Sequence, residues 1–207
     1  MDGTLLQGRS IFVFAENKGF TQEVKRLISG SFPFYQRSIE IAKALKGMNG
    51  QDLLQIFRNI PLQKYVLEVI NELKKQGIVT GIVTDSYQFI AEDLQKRLGM
   101  DYAFANNLIM DEGVVTGELI IQNAQLVPDV ITGGIYSICK GCVLDHLCAQ
   151  LGISLGEAIA VGDGKVDASM LQKAGLGIAF NAPSEVQQCA DISITDMRMI
   201  LQLLEER

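Results

Sequence analysis

The spacing of apolar residues predicts helices over much of the first half of the chain and alternating helices and strands after it. From Ile11 to about Asn59 the apolar positions recur at helical spacing, with breaks near residues 30–33 and 47–50. Pro61 begins a stronger helical pattern that stops at Gly77. The elements predicted next are a strand at 78–83, a helix at 88–98, and a hairpin of strands 102–110 and 114–121.

The second half of the chain repeats the alternation of helix and strand. The predicted elements are a helix at 140–151, a strand at 158–161, a helix at 166–174, strands at 176–180 and 191–194, and a helix at 197–205. Residues 122–138 follow neither period. Because strands that alternate with helices form parallel sheets with crossover connections, the pattern predicts an α/β fold with a doubly wound parallel sheet.

Composition and charge narrow the class of protein. A chain of 207 residues with 48% hydrophobic residues suits one domain with a sizeable core and a small inserted subdomain. A net charge of −6 argues against a nucleic-acid or anionic-membrane partner. No apolar run approaches the roughly 18 residues of a membrane span, and no leader pattern is present at the start, so a cytoplasmic protein is expected.

The chain has four cysteines and one histidine, which limits redox and metal chemistry. Cys139 and Cys142 form a CxxC pair, which suits a redox pair or half of a zinc site, but there is no second pair to complete a zinc site. We expect all four cysteines, including Cys148 and Cys189, to be buried reduced thiols. The single histidine, His146, is expected to be exposed, which makes histidine-dependent catalysis improbable.

The segment AIAVGDGKVDA, residues 158–168, carries the first candidate for chemistry. Its apolar start indicates a buried strand that ends in a tight glycine turn and opens a helix. Asp163 and Asp167 can both face the space beyond the strand's carboxyl end, where open α/β sheets bind ligands. Carboxylates there suit Mg2+. The alternative is a solvated turn in which Asp163 caps the helix.

Four clusters fall at strand ends or helix starts, and a parallel sheet would bring them to one edge. They are Asp2-Gly3-Thr4, Thr84-Asp85-Ser86, Lys140, and Asp163 with Asp167. A cation and a lysine neutralise phosphoryl oxygens while a hydroxyl orients them, so together the clusters predict a phosphoryl site. Taken singly, Thr84 is more often a plain strand-end cap and Lys140 a solvated lysine in the first turn of a helix, poorly placed against the helix dipole.

At these clusters, and over nearly the whole chain, the sequence resembles the phosphoserine phosphatase branch of the haloacid dehalogenase superfamily. MDGTL at residues 1–5 is similar to the tail of the DxDGT[LV] nucleophile motif, and GIVT at 81–84 to the second motif. Lys140 with the following GCVLDHLCAQLGI resembles the third motif, and VGDGKVDASMLQKAGLGIAF the acidic fourth motif. LGMDYAFANNLIMDEGVVTGEL resembles the hairpin region of these phosphatases.

The resemblance implies an α/β core of residues 1–7 and 61–207, a helical cap at 8–60, bound Mg2+ and a small phosphorylated metabolite as substrate. It implies a mechanism through an aspartyl-phosphate, with a second aspartate as acid and base. The implied roles are acid/base and a metal-binding carbonyl for Asp2, phosphoryl binding for Thr84 and Lys140, and metal binding for Asp163 with Asp167 in support. Thr4 is expected to steady Asp2. The residues expected at the substrate site are Gly3, which also allows the sharp turn, Asp85, Ser86 and Arg9.

One departure from the family concerns the nucleophile. It should lie two positions before Asp2, and in this sequence only Met1 precedes Asp2. The apolar strand that carries it in the family lies centrally, between the strands ending at Thr84 and Asp163. Losing four or five buried apolar side chains costs about 6–15 kcal/mol, the size of a domain's net stability. We therefore expect a longer DMDGT reading frame, and expect the 207-residue chain itself to be inactive and to need a substitute strand.

Other departures concern the substrate. Arg9 stands where the family reads the ammonium group of phosphoserine with a glutamate, and no arginine matches in the cap segment, although Arg37 and Lys43 are close. Unless Arg9 only faces solvent, it favours a carboxylate or a second phosphate, so weak activity on phosphoserine is expected.

The finer motifs leave three functions open. Asp85-Ser86 replaces the usual Gly-Gly, as in the phosphoserine:homoserine phosphotransferase relatives, and Val166 replaces an asparagine. The alternatives to hydrolysis are phosphoryl transfer to an alcohol and an inactive binding or regulatory protein. Both a monomer and a homodimer fit the sequence.

Overall fold

The computed structural model describes residues 1–205, which form helices and strands in alternation after a helical first quarter. The helices are α1 Ser10–Lys18, α2 Thr21–Ser29, α3 Phe34–Ala44, α4 Gly50–Arg58, α5 Val66–Lys75, α6 Gln88–Leu98, α7 Lys140–Leu151, α8 Ala168–Lys173, α9 Ser184–Gln187 and α10 Met199–Glu205. The strands are β1 Gly81–Tyr87, β2 Tyr102–Asp111, β3 Val114–Ile120, β4 Ile159–Gly162, β5 Leu176–Phe180 and β6 Ile192–Ile194.

The strands form two sheets of three strands each rather than one continuous sheet. In the first, β1 pairs in parallel with β2, and β2 pairs antiparallel with β3 through the hairpin. In the second, β4, β5 and β6 are all parallel. The prediction of an α/β fold is confirmed. The sheet, predicted to be single, is instead two sheets, with β1 at the edge of the first and β4 at the edge of the second.

An apolar cleft of about 580 Å3 separates the two sheets. Its walls include Ile82 of β1, Ile159 and Val161 of β4, Val69 of α5 and Val143 of α7. Within residues 1–205, no strand pairs with the second edge of either β1 or β4. The substitute strand that the sequence led us to expect is therefore absent from the described residues, and its place is an apolar cavity.

Three of the helices before residue 60, α1, α3 and α4, contribute to one apolar core. Phe14 of α1, Leu45 after α3, and Leu53 and Phe57 of α4 are fully buried. Burying side chains of this size contributes about 1.5–3 kcal/mol each. The start of α4 is fixed by Asn49, whose side-chain oxygen accepts hydrogen bonds from the backbone N–H groups of residues 51 and 52.

Most predicted elements match, and the differences lie at their ends. The predicted helix at 88–98 and the predicted strand at 176–180 are observed with the same bounds. Helix α5 begins at Val66, five residues after Pro61, because the preceding Tyr65 adopts a left-handed backbone with φ of 67°. Strand β1 begins at Gly81 rather than residue 78 and continues through Thr84 to Tyr87, four residues past its predicted end.

The cysteines differ from expectation, whereas the histidine does not. Cys139 and Cys142 are joined by a disulfide bond, so the prediction of four reduced thiols is wrong for this pair. Cys148 is a buried free thiol and Cys189 a half-buried one. His146 is exposed, as predicted. In the described part of the chain, no helix has the length and apolar character needed to cross a membrane.

We predict that the cleft binds an apolar dye such as anilinonaphthalene sulfonate in the folded protein, because open apolar cavities of this size attract apolar ligands. Val161→Phe should reduce the bound-dye fluorescence, since the larger ring enters the cleft. The matched control Val130→Phe, at a residue 73% exposed outside the cleft, should leave it unchanged. Equal fluorescence in the two variants would contradict the prediction.

Candidate active site

A cavity of about 600 Å3 with many polar residues in its lining lies where the end of β1 and the turn after β4 meet helices α1 and α3. Its lining includes residues from all four predicted clusters, namely Asp2, Thr84, Asp85, Ser86, Lys140, Asp163 and Asp167, together with Arg9. The volume is within the range of small-molecule sites. The structure therefore brings these sequence-predicted residues together, with Gly3 packed beneath them against Asp163.

The carboxyl group of Asp2 is fixed by Ser10. Its Oδ2 accepts hydrogen bonds from the backbone N–H of Ser10 at 2.9 Å and from the Ser10 hydroxyl at 2.8 Å. Its Oδ1 is buried and has no hydrogen-bond partner among the described residues. Burial raises the pKa of the Asp2 carboxyl above its usual value, although Ser10 opposes the shift. An acid with one orphaned oxygen and a raised pKa is suited to holding a proton for transfer.

The end of β1 presents hydroxyl groups to the cavity. Thr84 is buried, and its Oγ1 accepts the backbone N–H of Ser86 at 3.3 Å. The Ser86 hydroxyl lies 2.9 Å from that of Ser10 and so joins the end of β1 to the Asp2 carboxyl. Asp85 is exposed, and its backbone carbonyl accepts a hydrogen bond from Asn106 at 2.7 Å.

Lys140 and Asp167 form a buried ion pair at the floor of the cavity, with an Nζ–Oδ1 distance of 2.5 Å. The second oxygen of Asp167 accepts the backbone N–H groups of Asp163 and Gly164. Burial works against the charge on each partner, but the mutual attraction outweighs it. It holds the pKa of Asp167 below its usual value and that of Lys140 above. Both groups therefore remain charged.

Two glycines make room for the acidic turn after β4. A Cβ atom on Gly3, whose φ is +78°, would lie 2.2 Å from Oδ2 of Asp163. A Cβ atom on Gly162 would lie 2.5 Å from the Cβ of Asp167. Any larger residue at either position would displace a carboxylate, so the glycines are required by close approach rather than by the turn alone.

Thr4 supports a different carboxylate from the one expected. The prediction that Thr4 steadies Asp2 is wrong, because its hydroxyl donates to Oδ1 of Asp163 at 2.6 Å. Asp2 is held by Ser10 instead. The reason is the tight turn at residues 2–5, which directs the Thr4 side chain toward the second sheet rather than back along the chain.

The site offers oxygen ligands but no all-carboxylate cage for a cation. No group of three or more Asp, Glu, His or Cys side chains with metal-binding spacing occurs in residues 1–205. Both oxygens of Asp167 are engaged, whereas the Asp163 carboxylate is half-buried and has its Oδ1 fixed by Thr4. A hard cation that takes one carboxylate, backbone carbonyls, phosphate oxygens and water fits such a donor set.

The two arginines near the substrate region differ in availability. Arg9 is exposed at the cavity, and the described residues provide it with no ion-pair partner. Arg37 donates to the backbone carbonyls of Phe32 and Gly30 and lies over the ring of Phe34. Arg37 therefore braces the loop before α3, whereas the Arg9 side chain is exposed at the cavity.

Sequence reasoning missed the polar residues that join the site to the rest of the fold. Ser10 binds Asp2 and Ser86, and no motif marks it. Asn106 is fully buried and donates to the carbonyl of Asp85 and to the hydroxyl of Ser137, which lies in the stretch 122–138. An asparagine within a predicted strand was the one available signal, since buried amides need partners.

The fold and the site together define an α/β domain with a cavity lined by carboxylates, hydroxyls and a lysine at the carboxyl ends of its strands. Comparison with known families identifies it further, because residues 1–172 match the model for haloacid dehalogenase-like hydrolases. The chain belongs to that family.

Named relatives agree with this assignment. The chain is 32% identical to the phosphoserine phosphatase of Methanocaldococcus jannaschii over 99% of this chain and 94% of that protein. A solved structure described as a phospho-aspartyl intermediate analogue of phosphoserine phosphatase matches with a TM-score of 0.82 at 32% identity, covering 98% of this chain and 95% of the other. A hydrolase of the same family from Salmonella enterica has a TM-score of 0.88 at 23% identity, covering 100% and 69%, and supports the fold alone.

We predict that Lys140→Met lowers the free energy of unfolding by about 3–5 kcal/mol, because it leaves the Asp167 carboxylate buried without its cation. The double variant Lys140→Met/Asp167→Asn should recover part of this loss, since it removes the unpaired charge. Urea denaturation followed by circular dichroism measures both. A double variant no more stable than Lys140→Met alone would contradict the assignment of the pair.

Proposed function

We propose that this protein is a Mg2+-dependent phosphatase of the phosphoserine phosphatase type, acting on a small phosphomonoester in the cytoplasm. The observation that carries the proposal is the meeting of Asp2, Thr84, Lys140 and Asp163 around one cavity. Each supplies a different part of phosphoryl chemistry: an acid, a hydroxyl donor, a cation and a metal ligand. The family and its phosphoserine phosphatase relatives support the same reaction class.

In this proposal Lys140 and Thr84 hold the phosphoryl group. The Lys140 ammonium has three donors and spends one on Asp167, so others remain for phosphoryl oxygens. The Thr84 hydroxyl accepts from Ser86, which leaves its proton for donation. Asp167 positions both the lysine and the turn that carries Asp163.

Asp2 acts as the general acid and base through Oδ1. The two hydrogen bonds from Ser10 fix Oδ2, and burial of the orphaned Oδ1 keeps the proton on the carboxyl group until a leaving oxygen takes it. The same carboxylate can then accept a proton from an attacking water. We propose that α1 to α4, within residues 8–60, form a cap that excludes bulk water, over a core of residues 1–7 and 61–207.

Asp163 and the backbone carbonyl of Asp2 are the groups we assign to Mg2+. When bound, the cation neutralises charge on the phosphoryl oxygens. With these groups in place, we expect the cavity to bind inorganic phosphate together with Mg2+.

Replacing Thr4 by valine should weaken Mg2+ binding about tenfold, because residues that orient a metal ligand typically contribute a factor of 10–100. Thr4 holds Asp163 through one hydrogen bond. Calorimetric titration of Mg2+ in the presence of inorganic phosphate measures the effect. The control Thr116→Val removes a hydroxyl that bonds only within the hairpin, and equal affinities in the two variants would argue against the assignment.

The exposed Arg9 shapes the substrate preference in this proposal. A guanidinium in the position that faces the alcohol part of the substrate repels an ammonium group and attracts a carboxylate or a second phosphate. The substrate is therefore a phosphomonoester whose alcohol part carries an anionic group and no nearby ammonium.

Competition with inorganic phosphate tests this preference in the 207-residue protein. Phosphoglycolate, which has a carboxylate and no ammonium, should compete better than phosphoserine, and Arg9→Glu should reverse the order. The control Arg26→Glu makes the same charge change on an exposed face of α2 outside the cavity, and it should leave the order of the two competitors unchanged. Phosphoserine as the clearly better competitor of the unaltered protein would overturn the preference.

A further inference from the structure

The disulfide between Cys139 and Cys142 encloses the residue that faces the phosphoryl pocket. Cys139 is the N-cap of α7, Lys140 is its first residue and Cys142 lies in its first turn. Their Cα atoms are 5.2 Å apart, within the range that a disulfide spans. The closed ring therefore contains Lys140 and Gly141.

We propose that Cys139 and Cys142 form a reversible redox site whose oxidation tightens phosphate binding through Lys140, with low-molecular-weight disulfides of the glutathione type as the oxidant. The inference rests on the proposed function in so far as Lys140 binds the phosphoryl group. Its first step is independent of that role, because it concerns only the two sulfur atoms.

The position of the pair favours thiol–disulfide exchange. The backbone N–H of Cys142 donates to the sulfur of Cys139 at 3.3 Å, and a helix N-terminus with nearby amide groups stabilises a thiolate. Both cysteines are half-buried, so a small thiol or disulfide has access to them. The other two differ, because Cys148 is buried with a raised pKa and the Cys189 thiol donates to the carbonyl of Glu185.

The oxidation balances with one external disulfide. Each thiol loses a proton, the pair of sulfurs gives up two electrons and forms the S–S bond, and glutathione disulfide becomes two molecules of glutathione. A reducing cytosol favours the dithiol, so oxidation is the signal rather than the resting state.

The disulfide acts on the site through Lys140, which lies in the first turn of α7. Lys140 is 5% exposed and must keep its ammonium between Asp167 and the cavity. A Cβ atom on Gly141 would lie 2.9 Å from the Ser169 hydroxyl, so this turn is packed closely against α8. The disulfide limits local opening of the turn, and reduction restores that freedom. Ordering a side chain before a ligand arrives removes an entropic cost from binding.

The experiment equilibrates the 207-residue protein with defined ratios of reduced to oxidised glutathione. Alkylation and intact mass give the redox state, and calorimetry with inorganic phosphate and Mg2+ gives the affinity. We expect Cys139 and Cys142 to be oxidised together, with the loss of two hydrogens, and to be reduced together. The oxidised form should bind phosphate about three- to tenfold more tightly than the reduced form.

The variants separate the sulfur chemistry from the pocket. Cys139→Ser/Cys142→Ser should bind phosphate like the reduced protein at every glutathione ratio, whereas Cys189→Ser should respond like the unaltered protein. Failure of the pair to oxidise, or equal phosphate affinity in the two redox states, would overturn the inference and leave the proposed function intact. Absence of phosphate binding in both states would overturn both.

Discussion

The buried ion pair between Lys140 and Asp167 is the interaction on which the site depends. Both side chains are about 5% exposed, and taking two charges out of water costs several kcal/mol per ion unless the geometry compensates. Compensation comes from the 2.5 Å contact and from two backbone N–H groups that satisfy the second oxygen of Asp167. The start of α7 and the turn after β4 are thereby tied together.

The remainder of the site joins two sheets that do not pair with each other. Asp2, Ser10 and Ser86 form a chain of hydrogen bonds that reaches the end of β1. Thr4 reaches the end of β4 through Asp163. The first ten residues therefore position both halves of the pocket by side-chain contacts at the carboxyl ends of the strands, while farther down the same strands border an apolar cleft.

The two ends of the strands are held by different kinds of contact, and they therefore differ in how readily they open. Polar contacts cross between the sheets at the site, whereas the cleft below lacks the apolar packing that a filled interior provides. Regions with few apolar contacts open at lower free energy than well-packed ones. Within residues 1–205, the end of the molecule that holds the polar cavity is thus fixed by electrostatics and hydrogen bonds, and the region around the apolar cleft opens more readily.

The local pattern of apolar and polar residues was sufficient to locate most helices and strands and to identify the polar residues that follow the strands. Periodicity located α6, α7 and β5, and the rule that parallel strands align their carboxyl ends predicted that Thr84 and Asp163 would meet. It could not show that β1 continues past Thr84, because strand pairing with β2 is a long-range contact. Nor could it identify Asn106 as a buried link to the loop that contains Ser137.

By itself, then, the sequence determined the α/β class, the order of elements and the identity of the acidic, hydroxyl and lysine groups of the pocket, since these follow from residue periodicity and strand direction. Only the tertiary structure decided which group each side chain contacts: Thr4 with Asp163, Ser10 with Asp2, and Cys139 with Cys142. Such choices depend on the direction that each side chain takes and, for Thr4 and Asp163, on a contact between residues 159 positions apart. The one-dimensional pattern encodes neither.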